Sequence, residues 1–350
     1  MSSVAERARL TAAVFGCAGP RLTAPERRFF ARIRPVGFIL FARNIEAPDQ
    51  VRTLIADLRA SVGRADAPVM LDQEGGRVQR LRPPQWRGLP PAAVVASGGV
   101  RAARLLGRLL AADLRPLGFD VDCAPVLDIP VPGAHDVIGD RAFATTPVAV
   151  ARLGRACAEG LLAGGVVPII KHIPGHGRAT ADSHHHLPRV AATLGALQRR
   201  DFAPFRALAD LPWAMTAHVV YDAIDRDACA TVSAPVIKRA IRGEIGFDGV
   251  LLSDDLSMNA LAGTLAERAT ASRAAGCDVV LHCNGRLPEM ETVAKAAGPL
   301  GAAGARRLGR ALRWRQDPAP FDAERGTRTL ATLIERGGQE RSQSRKRYLQ

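Results

Sequence analysis

"GVLLSDD", residues 249–255, is an apolar run that ends abruptly in two carboxylates. Its valine and leucines do not alternate with polar residues. That suits a strand buried on both faces, as in a parallel sheet. Seven further runs share this character: "AAVFGCAG" (12–19), "VGFILF" (36–41), "APVMLDQ" (67–73), "GFDVDCAPVLD" (118–128), "VVPIIKH" (166–172), "WAMTAHVV" (213–220) and "CDVVLHC" (277–283). Between them lie segments of helical period. "DQVRTLIADLRA" (49–60) places Val51, Leu54, Ile55 and Leu58 on one face, and "ARLGRACAEGLLAGG" (151–165) ends in glycines suited to a helix C-terminus. "TLGALQRRDFAPFRALAD" (193–210) and "APVIKRAIRGEIG" (234–246) continue the pattern. Eight strand-like runs alternating with helices predict an α/β fold, a (β/α)8 TIM-type barrel in a single domain. A doubly wound open sheet is the competing architecture, but the glycine-rich fingerprint that follows its early strand is missing.

The barrel is expected to occupy residues 1–315. Residues 316–350 read as a C-terminal extension, basic and partly disordered over 336–350. The net charge of +14 invites a nucleic-acid reading, but residues 301–350, with twelve Lys+Arg against five Asp+Glu, supply +7 of it. Only two Tyr and three Trp are available to stack on bases, so no nucleic-acid partner is expected. No apolar run reaches the ~18 residues of a membrane span. "RARLTAAVFGCAG" (7–19) has the outline of a lipoprotein signal, yet its apolar part is very short and reads equally well as a buried strand. Six cysteines without a C-x-x-C pair, mostly in apolar runs, look like reduced thiols of a cytoplasmic protein.

A barrel carries its active site where the strands end. Five of the eight runs end in polar residues ill-suited to packing: Asp72, followed by Glu74, Arg77 and Arg80; Lys171 and His172; His218; Asp254 and Asp255; His282 and Asn284. Asp254, held at the end of a rigid strand, suits a nucleophile, a general base or a metal ligand. Asp255 should point elsewhere and serve a turn, because successive side chains on an extended segment alternate.

"KHIPGHGRATADSHHHLP" (171–188) holds five of the chain's eight histidines. One reading makes the 172–186 cluster the metal site of a barrel metallohydrolase, with Asp182, His184 and His186 spaced two apart. The loop lacks the H-E-x-x-H arrangement that marks a helical zinc site. The other reading pairs Asp182 with His184 at i and i+2: the carboxylate accepts from one ring nitrogen, and the other carries a transferable proton. A strand-borne carboxylate and a proton donor on a loop equip a site for two-step glycoside cleavage without a metal. Gly175 and Gly177 are expected to loosen that loop.

The motifs "LDQEGGRVQRL" (71–81), "GDRAF" (139–143), "KHIPGHG" (171–177), "ADSHHHLP" (181–188) and "LLSDDLSM" (251–258) together resemble the bacterial β-N-acetylhexosaminidases of glycoside hydrolase family 3, in particular the cytoplasmic peptidoglycan-recycling type. The resemblance spans about residues 12–285 with the motifs in family order, a stronger signal than any one alone. It implies Asp254 as nucleophile, His184 as general acid/base with Asp182 as its partner, and Asp72, Arg80, Arg141, Lys171 and His172 as sugar-binding residues. It implies no metal and no organic cofactor. The implied substrate is a non-reducing N-acetylglucosamine β-linked to anhydro-N-acetylmuramic acid, with or without peptide, cleaved with retention. His185 and His186 have no counterpart in the pattern.

Overall fold

The computed structural model describes residues 3–181 and 186–347, with side chains of the final helix as far as Glu340. Each of the eight runs carries one barrel strand: β1 (Thr11–Phe15), β2 (Pro35–Leu40), β3 (Val69–Leu71), β4 (Val121–Asp122), β5 (Val167–Ile173), β6 (Trp213–Thr216), β7 (Val250–Asp255) and β8 (Val279–His282). Neighbours in sequence are neighbours in the sheet, all parallel, and β8 returns to β1 with Val280 opposite Ala13. The expected (β/α)8 barrel is therefore the fold.

Strand parity builds the interior. Val14, Ile39, Met70, Val121, Ile169, Met215, Leu252 and Leu281 form one buried cluster inside the barrel. The residues beside them, such as Phe15, Leu40, Leu71, Ile170 and Leu251, pack outward in the clusters beneath the helices. This two-sided burial is why the strands show no polar alternation. The same parity sends Asp72 after Met70, Lys171 after Ile169 and Asp254 after Leu252 toward the barrel's mouth.

Helix α1 (Pro48–Ser61) buries Val51, Leu54, Ile55 and Leu58, the residues whose spacing predicts it. Helices α2 (Gly99–Leu114) and α3 (Pro147–Ala163) follow on the barrel's outside. The segment 193–210 is two short helices, Leu194–Arg199 and Phe202–Ala207, rather than one. Pro204 has no N–H for the residue 200 carbonyl, so the helix breaks a turn before it. All six cysteines are free and buried.

The C-terminal helix α4 (Ala323–Arg347) lies against α2 and the turn Ala96–Gly98. Leu330 is 2% exposed, and the Ser97 hydroxyl donates to the Ile334 carbonyl at 3.1 Å. A Cβ on Gly337 would stand 1.8 Å from the Ser97 carbonyl oxygen, so only glycine permits this approach. Among the described residues no helix is long and apolar enough to cross a membrane.

Candidate active site

Asp72, Arg80, Arg141, Lys171, His172 and Asp254 line one cavity of about 170 Å3 at the C-terminal ends of the strands, with Glu74, His176, Phe41, Val137 and Ile138 beside them. The turn after β3 is folded by Gln73. Its side chain accepts from the Arg80 and Leu81 amides at 2.8 and 3.1 Å and donates to the Leu81 carbonyl. Arg80 is thereby brought back beside Asp72, with Nη2 3.4 Å from Oδ2.

Lys171 sits between two carboxylates, with Nζ 2.8 Å from Asp72 Oδ1 and 2.7 Å from Glu74 Oε1. Arg141 grips Glu74 with two bonds of 2.8 Å and donates to the Val137 carbonyl at 3.0 Å. Burial alone would raise both carboxyls. For Glu74 the Arg141 and Lys171 charges outweigh burial, and for Asp72 those of Lys171 and Arg80 do, so both lie below the usual carboxylate range. Burial would lower Lys171 and Arg141, but the same carboxylates hold both above their ordinary values.

A register shift between Lys171 and Ile173 lets two successive residues, Lys171 and His172, face the cavity. His172 Nδ1 lies 2.7 Å from Asp128 Oδ2, and the same carboxylate accepts the His172 amide at 3.3 Å and the His176 amide at 2.6 Å. Burial would raise Asp128, yet His172 holds it below the carboxylate range. An ionised Asp128 accepts Nδ1–H, which leaves His172 Nε2 for a ligand. Burial, with His172 alongside, pushes His176 down to about 4, so its imidazole is neutral at neutral pH.

Asp254 differs from the other cavity carboxylates. Among the described residues its side chain accepts one hydrogen bond, from the Asp255 amide at 2.8 Å, and no cation pairs with it directly. Burial would raise its carboxyl. The His218 and His172 imidazoles, the Asp255 amide and the Lys171 ammonium outweigh burial and keep it below the usual range. Asp255 also lines the cavity, but its carboxylate is committed to the following turn and to the end of β8, accepting the Ser257 and Cys283 amides at 3.1 and 3.2 Å.

Three of the five polar strand ends meet at this cavity. The other two do not line it. His218 lies behind Asp255, and His282 is buried edge-on against Phe15 at 6.3 Å. Asp182, His184 and His185 lie outside the described residues, and His186 is exposed. Among the described residues no group of three His, Cys, Asp or Glu side chains could hold a metal ion. Gly175 and Gly177 each meet a local geometric requirement. Gly175 adopts φ +135°, and a Cβ on Gly177 would meet the Ile129 carbonyl at 2.1 Å.

Asp128 gave no signal in sequence beyond ending an apolar run, and Glu74 stood out only as a polar neighbour of Asp72. Phe41 lines the cavity, with the Arg43 and Arg80 guanidiniums 5.1 and 5.5 Å from its ring centre.

Residues 22–306 match the family model for the glycosyl hydrolase family 3 N terminal domain. The chain is 44% identical over 280 residues to the β-hexosaminidase of Methylococcus capsulatus, covering 77% of this chain and 82% of that one. It superposes on native NagZ from Neisseria gonorrhoeae with a TM-score of 0.80 at 34% identity, across 93% of this chain and 96% of that one. For the complex of that protein with N-trifluoroacetyl-D-glucosamine the TM-score is 0.78 at 33% identity, across 93% and 98%.

Proposed function

Because the chain belongs to glycosyl hydrolase family 3 and is a β-N-acetylhexosaminidase, we propose that it is a retaining exo-enzyme with Asp254 as its nucleophile. The observation that carries this reading is the contrast among the cavity carboxylates. Asp72 and Glu74 are held in ion pairs and the Asp255 carboxylate is engaged by Ser257 and the Cys283 amide, whereas Asp254 is ionised and, among the described residues, has no direct cationic partner. It is the carboxylate free to attack an anomeric carbon.

Asp72, Arg80, Arg141, Lys171 and His172 hold the N-acetylglucosamine ring. Asp254 forms a bond to the anomeric carbon as the glycosidic bond breaks, and His184 gives its proton to the departing oxygen. Water then attacks the same carbon, returns a proton to His184 and frees the Asp254 carboxylate. Asp182 orients the imidazole. The described groups support the assignment of acid to the 182–184 pair by their own commitments. Glu74 is clamped as an anion, and both His218 nitrogens are engaged behind the cavity. The substrate is a muropeptide ending in N-acetylglucosamine linked to anhydro-N-acetylmuramic acid, and the setting is cytoplasmic peptidoglycan recycling.

The enzyme should release nitrophenol from an aryl N-acetyl-β-glucosaminide but not from the matching glucoside. A 5-fluoro glycosyl fluoride of N-acetylglucosamine should label Asp254, and an adduct on Asp255 would overturn the assignment. His184→Ala should lose about 10²–10⁴-fold on the natural disaccharide and much less in glycosylation by the aryl substrate, whose leaving group needs no proton. Equal losses on both substrates would reduce His184 to a binding role. Failure to cleave the disaccharide, with aryl activity intact, would remove the muropeptide assignment alone.

A further inference from the structure

Three fully buried side chains behind Asp254 have no part in the chemistry above: Thr216 at the end of β6, His218 just beyond it, and Thr231, which follows the short strand Asp225–Cys229. They form a continuous chain. His218 Nε2 is 3.0 Å from the Asp255 carbonyl oxygen, and His218 Nδ1 is 2.7 Å from Thr231 Oγ1. Thr231 Oγ1 is 2.8 Å from Thr216 Oγ1, which accepts the Asp254 amide at 3.4 Å.

Donor counting orders the chain. A carbonyl only accepts, so Nε2 of His218 carries hydrogen. With Nδ1 accepting, the Thr231 hydroxyl is its donor at 2.7 Å, and the Ala217 carbonyl, at 3.3 Å, is that hydroxyl's more distant alternative acceptor. With its proton committed to His218, Thr231 can only accept from Thr216. The Thr216 hydroxyl therefore donates to Thr231, and its oxygen is left to accept the Asp254 N–H. The order satisfies each group once and anchors on the backbone to both sides of the Asp254–Asp255 pair.

The Asp255 carbonyl also accepts the Met258 amide at 3.1 Å, but the strand pairing around Asp254 is irregular. The β7–β6 ladder stops at Leu252 opposite Met215, and the β7–β8 ladder shifts register between Leu252 and Asp255. Asp254 stands past the pairing with β6 and within the irregular stretch of the pairing with β8, which resumes at Asp255 opposite Leu281. We propose that Thr231 and His218 are positioning residues that set the angle at which Asp254 enters the cavity, acting through Thr216 on one side and the Asp255 carbonyl on the other. This rests on Asp254 being the attacking carboxylate. The His218 link is shorter than the Thr216 link, so His218 and Thr231 carry more of the effect than Thr216.

The test uses the full chain with Thr231→Val, which keeps the shape and removes the hydroxyl, and Thr231→Ser, which restores it. Thr216→Val and Asp254→Ala are made in parallel. Steady-state kinetics on an aryl N-acetyl-β-glucosaminide, the rate of labelling by the 5-fluoro reagent and calorimetric binding of N-acetylglucosamine are measured for each. Thr231→Val should lose about tenfold to a hundredfold in kcat and in labelling rate, as a nucleophile misplaced by a fraction of an ångström does, while KM and sugar affinity stay within about twofold. Thr231→Ser should recover most of the loss. Thr216→Val should lose about threefold, and it carries the test if Thr231→Val does not fold. Wild-type kcat in Thr231→Val beside an inactive Asp254→Ala overturns the positioning role. So does an equal loss in the Val and Ser variants with KM rising in step, which marks a purely structural chain. An active Asp254→Ala overturns the nucleophile assignment instead.

Discussion

Glu74 accepts two hydrogen bonds from Arg141 and lies 2.7 Å from the Lys171 ammonium, which also touches Asp72. Lys171 and Arg141 thus neutralise Glu74 and Asp72 inside the cavity wall, with Arg80 also beside Asp72. Removing one member leaves buried charge uncompensated. Glu74→Gln should therefore destabilise the fold by about 3–5 kcal/mol, read by urea unfolding at neutral pH. A carboxyl held below its ordinary value of 4.5 binds its proton less tightly folded than unfolded. It stabilises the fold above that pH, and the contribution drains away as pH falls further. The wild type should lose stability more steeply below pH 4.5 than Glu74→Gln. Some slope should remain in the variant, since Asp72 and Asp128 are depressed too. Parallel stability curves would show that Glu74 is not ionised in the fold.

At the scale of elements, the cavity wall opposite Asp72 is a loop, and another loop holds it. Arg77, from the turn after β3, donates to the carbonyls of Asp136, Val137 and Ile138 and pairs with Asp140 at 3.0 Å. The held segment carries Val137 and Ile138 to the cavity and ends at Arg141. Arg77 is half-exposed, so its loss should cost little global stability. Arg77→Ala should raise KM about fivefold, the equivalent of roughly 1 kcal/mol of binding, with Tm nearly unchanged. An unchanged KM would mean that Arg141 alone fixes the loop. In sequence Arg77 is only one of the polar residues that follow Asp72, and the three carbonyls it gathers lie some sixty positions later. No periodicity connects them.

For the whole molecule, we propose residues 1–315 as the catalytic unit and 316–350 as a supporting extension. Helix α4 covers α2 rather than the cavity: Leu330 is buried, and the Arg108 guanidinium stands 4.5 Å from the Phe321 ring centre. Ending the chain at residue 322 should leave kcat on the aryl substrate unchanged at 25 °C. Tm should fall by several degrees, because the apolar face around Leu330 is lost and a buried leucine is worth about 2–5 kcal/mol. Ending it at Glu340 removes Arg341, Arg345, Lys346 and Arg347 and should change neither quantity. A fall in kcat for the longer truncation, measured on folded protein, would tie the helix to the site.

The sequence by itself determined the eight strands, their parallel closure and the direction of three polar strand ends, those of Asp72, Lys171 and Asp254. These follow from a period of two and from burial on both faces, and both are local properties. Asp254, Asp72 and Lys171 were therefore legible, and the Asp255 carboxylate serves the following turn, though the residue also lines the cavity. Arg80 and His172 were named at the same strand ends, and the shared motifs added Arg141 to the cavity. What only the tertiary structure decided is who faces whom across loops of unrelated length. Asp128 meets His172 over a separation of 44 residues, and Arg141 meets Glu74 over 67. His218, which ends its run as plainly as Asp254 does, is drawn to Thr231 and away from the cavity because the strand leading to Thr231 folds back behind it. Strand parity sets the direction of a side chain, but its partner depends on where a distant turn comes to rest.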